Sequence, residues 1–358
     1  MAEQEKYSMV KSIRQSPPVD LSIPYDSAWL KNKTILITGG ASGFGAAFVR
    51  KWAANGACVI IGDISVQKAD QLARDVRKET SNPRVHFVYC DVTDWQSQVN
   101  LFKEAVKRSP HGGIDCVIAC AGVAGTDTLQ TPSGLDALAP SKPDFKVIDV
   151  NITGVLYTTH LAFFYLPRNP GSTDCSPDSD PANTPRDRHV LLIGSVAGLM
   201  PLTIQPQYCA SKHAVLGLFR SLRSSAFASG VRVNLLCPYF IDTPILPTSA
   251  RVMLAGGGTG KVEDVVDAGT RLVADSRIVG RSLYVGPKVK VRQRDDGELV
   301  LDEGGEDRAV WEAYADDWED AELFCRRMIR ILNTITQVKG WTGWFKDMFA
   351  ALLYGIGR

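Results

Sequence analysis

The chain has 358 residues, 45% of them hydrophobic, and its 40 Lys and Arg against 39 Asp and Glu leave a formal charge of +1. That length and apolar share allow a large core in one large domain with appendages or two modest ones, and the even charge gives no electrostatic ground for nucleic-acid binding. The charged start MAEQEKYSMVKSIRQ lacks a signal-peptide core, no run reaches the ~20 apolar residues that span a bilayer, and eight scattered cysteines without C-x-x-C spacing read as reduced thiols, so a cytoplasmic protein without a bound metal is expected.

In chain order, residues 1–30 contain SPPVDLSIPYD, whose prolines and polar residues predict an extended N-terminal arm. Short runs rich in Val and Ile then recur: TILITG (34–39), CVIIGD (58–63), VHFVYCD (85–91), IDCVIACAG (114–122), HVLLIGS (189–195) and VRVNLLCP (231–238). Each suits a strand buried on both faces. Between them lie segments of helical length, among them 44–56, 94–109, 145–166 and 206–229. This alternation predicts an α/β fold, a doubly wound parallel sheet with helices on both faces, because parallel neighbours need right-handed crossovers.

PRNPGSTDCSPDSDPANTPRDR (167–188), with five prolines, reads as a surface insertion. Past residue 244 come LAGGGTG, a helical stretch from Val262, the short run SLYV, and a hairpin pattern with VKVRQ and ELVLD around Asp295, Asp296 and Gly297. The expected division is an arm (1–30), a main α/β domain (31–287) and a mostly helical C-terminal extension (288–358). In the extension, Trp311, Tyr314, Trp318, Phe324, Met328 and Ile331 recur at helical spacings, predicting helices over 306–333 and an amphipathic one over 341–355. The apolar segment 341–357 suits docking on the domain or a partner subunit, which is favoured, or peripheral membrane contact.

The first strand runs into TGGASGFG, and this strand-to-helix context gives such a motif meaning. Gly39 permits a tight turn, Gly43 lets a pyrophosphate approach the backbone, and Gly45 allows close packing at a helix N-terminus that favours phosphate. The second strand ends in Asp63, where a carboxylate can accept hydrogen bonds from both adenosine ribose hydroxyls and would repel a 2′-phosphate; Ser42 supplies no compensating base. NAD is therefore favoured, with NADP left open.

With Asp91-Val92, CAG at 120–122, Asn151, Ser195 and Tyr208-x-x-x-Lys212 added, residues 31–286 resemble the short-chain dehydrogenase/reductase family. Within it the chain is similar to the 15-hydroxyprostaglandin dehydrogenase-like group and to fungal secondary-metabolite dehydrogenases. The resemblance implies a Rossmann-type fold and a catalytic set of Asn151, Ser195, Tyr208 and Lys212. For the cofactor it implies Gly39, Ser42, Gly43, Phe44, Gly45, Asp63, Ile64, Asp91, Val92, Ala121, Gly122, Tyr208, Lys212, Pro238, Ile241 and Thr243. PYFIDTP departs from the family's PGxVxT segment by Tyr239 in place of glycine, and Cys120 replaces the asparagine of NAG.

A phenol with a pKa near 10 needs help to act as a base at neutral pH. Lys212, one turn along a helix from Tyr208, together with a cationic nicotinamide, would supply it. The resemblance gives Ser195 the substrate oxygen, Lys212 the nicotinamide ribose as well, and Asn151 a water that relays the proton. His86, His111, His160, His189 and His213 fall in unlike contexts, and no G-x-S-x-G elbow appears. The expectation is an oxidoreductase moving a hydride between nicotinamide and a secondary alcohol or ketone, with an apolar substrate suggested by Tyr239, Phe240, Ile245, Leu246, Val252, Met253 and Leu254. The other reading is a dinucleotide-binding scaffold without turnover. Both are compatible with a homo-oligomer.

Overall fold

The computed structural model describes residues 9–125, 127–129, 138–203, 205–241, 243, 258–294, 298–314, 328, 330–335, 337, 338 and 341. Expectations for Ile245, Leu246, Val252, Met253, Leu254, Asp295, Asp296, Gly297, Trp318, Phe324 and 342–357 lie outside them.

Seven parallel strands form the main part of a sheet that has nine strands among the described residues: β1 (Thr34–Thr38), β2 (Cys58–Asp63), β3 (Val85–Tyr89), β4 (Cys116–Ala119), β5 (His189–Ile193), β6 (Arg232–Pro238) and β7 (Ser282–Gln293). Their order is β3-β2-β1-β4-β5-β6-β7, so the chain winds outward from β1, returns, and starts again at β4. A crevice therefore opens beyond the carboxyl ends of β1 and β4, where the winding reverses.

Strand periodicity splits each run between two cores. Ile35, Ile37, Val59 and Ile61 face one layer, formed by α2 (Gly43–Ala54), α3 (Val66–Thr80) and α8 (Val262–Ala274), with Phe48, Trp52, Leu72, Val76, Val265 and Leu272. Leu36, Ile60, Val117 and Val190 face the other, formed by α4 (Trp95–Arg108), α6 (Val155–Tyr165) and α7 (Pro206–Arg223), with Leu101, Phe102, Leu161, Val215 and Phe219. Trp52 is fully buried, stacks on Phe48 at 4.6 Å and donates its ring N–H to Thr270 Oγ1 at 3.1 Å, so its polar edge is satisfied.

α6 continues from α5 (Lys146–Ile148) through a six-residue π turn, Asp149–Gly154. The 23 residues Lys146–Arg168 are long and apolar enough to cross a membrane, which the expectation of no spanning run had not allowed for. Their packing against α4 and β4 accounts for the apolar sequence.

Several boundaries differ from the expected ones. β7 runs through position 287, so the division expected there falls inside a strand; Pro287 sits at the bulge between Val285 and Val289, where a missing N–H costs no ladder bond. The hairpin is present, with β8 (Leu299–Leu301) antiparallel to β7. Glu306–Glu312, expected to be helical, is β9, antiparallel to β7. Exposure along β9 barely alternates, and Trp311 and Tyr314 three residues apart imitate a helical stripe, which explains the misreading. Helix is found later, at residues 330–335.

The arm contains two short helical turns, α1 (Met9–Ser12) and a 3-10 turn at Ser27–Leu30, and is otherwise stitched onto the domain. Ser16 exchanges bonds with Val279, Arg281 Nε donates to Pro17 O at 3.0 Å, and Tyr25 donates to Asp267 Oδ1 at 2.7 Å. Nor is the insertion wholly on the surface. Much of its middle is exposed or half-buried, but Cys175 is buried, and so are Asn169 and Asp187 at the amino ends of the strands. Asp115 gathers the amides of Thr34 and Asp187, the Asn169 amide group and Arg186, while Asp187 pairs with fully buried Arg232 at 2.7 Å. Polar composition suggested solvent, but the partners are buried charges.

Candidate active site

The turn after β1 builds the first half of the crevice. Gly39 takes φ +68°, a left-handed conformation that disfavours side chains, and Gly43 takes φ +51° where α2 begins. A Cβ on Gly45 would stand 2.2 Å from Gly39 O, so only glycine lets α2 close onto the turn. Ser42 is the exposed N-cap residue of α2, and Phe44 is half-buried beside it. Thr243 comes against this turn from the far side of the sheet, its Cβ 3.6 Å from where a Cβ on Gly43 would be. Gly45→Ala is expected to force the turn open at about 1–3 kcal/mol, weakening dinucleotide binding in a fluorescence titration; unchanged affinity would contradict the close packing.

Asp63, the last residue of β2, is held at both carboxylate oxygens, with Ala41 N donating to Oδ2 at 2.9 Å and Ser65 N to Oδ1 at 2.8 Å. These bonds aim the carboxylate across the Gly-rich turn. Ile64 beside it is exposed. After β3, Asp91 Oδ1 accepts from the amide and hydroxyl of Thr93, fixing the turn that presents Val92. Val92 packs on Gly154 of the π turn so closely that a Cβ there would lie 2.8 Å from it.

At the end of β4, Ala121 N donates to Thr38 Oγ1 at 3.3 Å, so a β1 hydroxyl ties the two strands where Cys120 supplies no amide. Burial pushes the Cys120 thiol up to about 12 despite the Lys212 ammonium, which keeps it protonated. Asn151 is fully buried in the π turn, and it both accepts from Val123 N and donates to Val123 O at 2.9 Å. A Cβ on Gly122 would lie 3.4 Å from Asn151 Oδ1 and 3.7 Å from Lys212 Nζ, so these three groups converge.

α7 carries Tyr208 half-buried and Lys212 buried one turn later. Lys212 Nζ donates to Ile193 O at 3.1 Å and lies 5.8 Å from the centre of the Tyr208 ring. Ser195, extended after β5, accepts from Ala197 N at 3.2 Å as the cap of a 3-10 turn, Val196–Gly198. A Cβ on Gly198 would meet Lys212 O at 2.6 Å, so this glycine lets the serine's turn press on α7 beside the lysine. At the far wall, Pro238 ends β6 and Ile241 pairs with Gly260. Tyr239 N donates to Val285 O at 2.7 Å and its ring meets Phe240 and Tyr284 edge-on, so the residue in place of glycine extends the sheet contact.

One site thus brings Gly122, Asn151 and Lys212 together, while the other expected residues lie on α7 or at the strand ends and turns that follow β1 to β6. Three further residues hold it together. Fully buried Gln98 donates to Val92 O at 2.6 Å and Gly154 O at 2.9 Å, Ser211 accepts from Asn151 Nδ2 at 3.1 Å, and Gly198 makes the approach just described. For Gln98 the only sequence signal is an amide amid the apolar positions of a helix. Among the described residues no group of three or more His, Cys, Asp or Glu could hold a metal ion.

A family model described as short chain dehydrogenase matches residues 33–252. A 5'-hydroxyaverantin dehydrogenase of Dothistroma septosporum is 35% identical over 292 residues, covering 78% of this chain and 92% of its own. An NADP-dependent dehydrogenase of a Phoma species is 32% identical, over 81% of this chain and 84% of its own. The mouse 15-hydroxyprostaglandin dehydrogenase [NAD(+)] is 29% identical, over 61% and 70%. Among solved structures, the 3-ketoacyl-(acyl-carrier-protein) reductase from Brucella melitensis, complexed with NADH, superposes with a TM-score of 0.58 at 24% identity, over 72% of this chain and 97% of its own.

Proposed function

The chain belongs to the short-chain dehydrogenase family, an oxidoreductase using NAD or NADP on an alcohol or ketone, and from that premise we propose that it prefers NAD and acts on a lipophilic secondary alcohol, or the matching ketone, of fungal secondary metabolism. The observation that carries the mechanism is the convergence of Gly122, Asn151 and Lys212 beneath Tyr208. When bound, the nicotinamide takes up or returns the hydride of the carbinol carbon.

The chain's own residues handle the proton. Tyr208 removes it from the substrate hydroxyl, or restores it in reduction. Ser195 accepts from Ala197 N and can still donate its own hydrogen to the substrate oxygen, holding that oxygen toward the phenol. Lys212, fixed by Ile193 O, holds its ammonium 5.8 Å from the centre of the Tyr208 ring, on the side where the proton is handed on. Asn151, its side-chain N–H groups taken by Val123 O and Ser211 Oγ, holds the segment after β4 beside Lys212, through which the proton would pass on to solvent.

The dinucleotide fits the residues present. The Gly39–Gly45 turn leaves backbone exposed at the helix end where a pyrophosphate is favoured, and Asp63 stands where it can accept from ribose hydroxyls. A carboxylate there supports NAD, although two relatives are named NADP-dependent. Tyr239 and Phe240 support an apolar substrate wall, and the relative named for 5'-hydroxyaverantin supports an organic alcohol of that kind. The inactive-scaffold reading gains nothing from a site in which Ser195, Tyr208 and Lys212 are all assembled.

A panel of lipophilic secondary alcohols, followed by NADH absorbance with the wild type and with Asp63→Ala, tests both parts. Turnover is expected with NAD, and Asp63→Ala should weaken NAD by about tenfold or more by losing charge-assisted hydrogen bonds while narrowing the gap to NADP. An unchanged cofactor ratio would show that another residue reads the ribose.

A further inference from the structure

The first turn of α7, immediately before Tyr208, has an unusual arrangement of donors. Gln205 at the N-cap makes no side-chain cap, and Pro206 has no N–H, so the first amide to be satisfied is that of Gln207. Its partner comes from another segment: Gln207 N donates to Asp127 Oδ2 at 2.7 Å. The Gln207 side chain, 5% exposed, joins two more strands of chain, with Oε1 accepting from Thr128 N at 3.2 Å and Nε2 donating to Asp144 O at 2.9 Å.

Each of these segments leads to the reacting groups. Asp127 and Thr128 lie a few residues beyond Gly122 and Val123, which border Lys212 and Asn151. Asp144 Oδ1 accepts from Lys146 N at 2.8 Å, so it holds the first amide of α5, which runs on into the π turn that carries Asn151. Its own amide donates to Thr128 Oγ1 at 2.9 Å, closing the junction. One buried amide group thus binds the tip of the tyrosine helix, the segment after β4 and the start of the asparagine helix.

We propose that Gln207 and Asp127 are positioning residues for proton transfer: they lock the tip of α7 to the other two segments and so set where the Tyr208 phenol stands relative to Asn151 and the substrate side of the crevice. Neither touches the reacting atoms. The proposal rests on the dehydrogenase reading above. An amide is required at 207 because one side chain must accept from Thr128 N and donate to Asp144 O at once. At 127 an acceptor alone is required, so asparagine can serve where alanine cannot.

The test compares wild type, Gln207→Ala, Asp127→Ala, Asp127→Asn and the double alanine variant in steady-state kinetics, NADH titration and amide hydrogen exchange. Each alanine variant is expected to lower kcat by about ten- to a hundredfold, the scale of a misplaced catalytic group, with NADH affinity within about twofold. Asp127→Asn should recover to within about threefold of wild type, and the double variant should be no worse than about the poorer single, since both act on one junction. Exchange at Thr128 N should quicken in Gln207→Ala, and at Gln207 N in Asp127→Ala, while β1 and β4 stay protected. A Gln207→Ala enzyme with wild-type kcat, unchanged exchange at Thr128, or an equal loss of NADH affinity and sheet protection would overturn the proposal. If the wild type turns over no alcohol or ketone, the dehydrogenase reading fails instead, and the exchange data alone decide whether the junction exists.

Discussion

Tyr208→Phe is expected to lower kcat by about 10²–10⁴-fold, the usual contribution of a general acid–base group, while dinucleotide affinity stays within a few-fold. The asymmetry follows from the site. The phenol oxygen is the proton carrier, whereas the elements fitted to the dinucleotide, the Gly39–Gly45 turn and the Asp63 carboxylate fixed by Ala41 N and Ser65 N, lie on β1, β2 and α2. Phenylalanine keeps the ring and leaves the Ser211-to-Tyr208 carbonyl contact in place, because that bond uses the backbone oxygen. Turnover above about a tenth of wild type in a saturated steady-state assay would remove Tyr208 from the proposed role.

Asp187→Ala is the second large effect, and it falls on stability. Arg232 is fully buried, its guanidinium bonded to both Asp187 oxygens and to the carbonyls of Leu272, Val273, Asp275 and Ile278 at the end of α8. Removing the carboxylate leaves that charge compensated only by carbonyl dipoles, at a cost of about 3–5 kcal/mol. Against a total stability of roughly 5–15 kcal/mol, the urea midpoint should fall steeply. Asp187→Leu combined with Arg232→Met should recover much of the loss, because neither charge then needs compensation. A midpoint within error of wild type for Asp187→Ala would show that the carbonyls suffice.

Much of the fold was legible because β1, β2, β4, β5 and β6 are buried on both faces, which writes continuous Val and Ile runs into the sequence. The reacting residues were legible by type and spacing: a carboxylate at a strand end, glycines at a turn, a phenol and an ammonium one turn apart. Gln98, Gly198 and Gln207 were not, because an amide or a glycine acquires its role only from the chain that folds against it. β9 failed for a related reason. Its alternation is shallow at a sheet edge, and aromatic residues at 311 and 314 carried a competing helical period. Asp187 shows the limit of composition, since a proline-rich polar stretch supplied one of the most deeply buried charges in the described protein.

The arm described with the fold bears on the order of assembly. Ser16 bonds to Val279 and Arg281 across 263 to 265 residues of sequence, Val19 N reaches Glu312, and Asn333 donates to Ser12 O. Contacts of such span form late, because their loop-closure entropy is recovered only once the intervening chain is compact. During synthesis residues 12–19 must wait, without their partners, until residues 279–333 have emerged. This segment, made before its partners, is therefore late to lock, and its docking reports that β7 and β9 are in place.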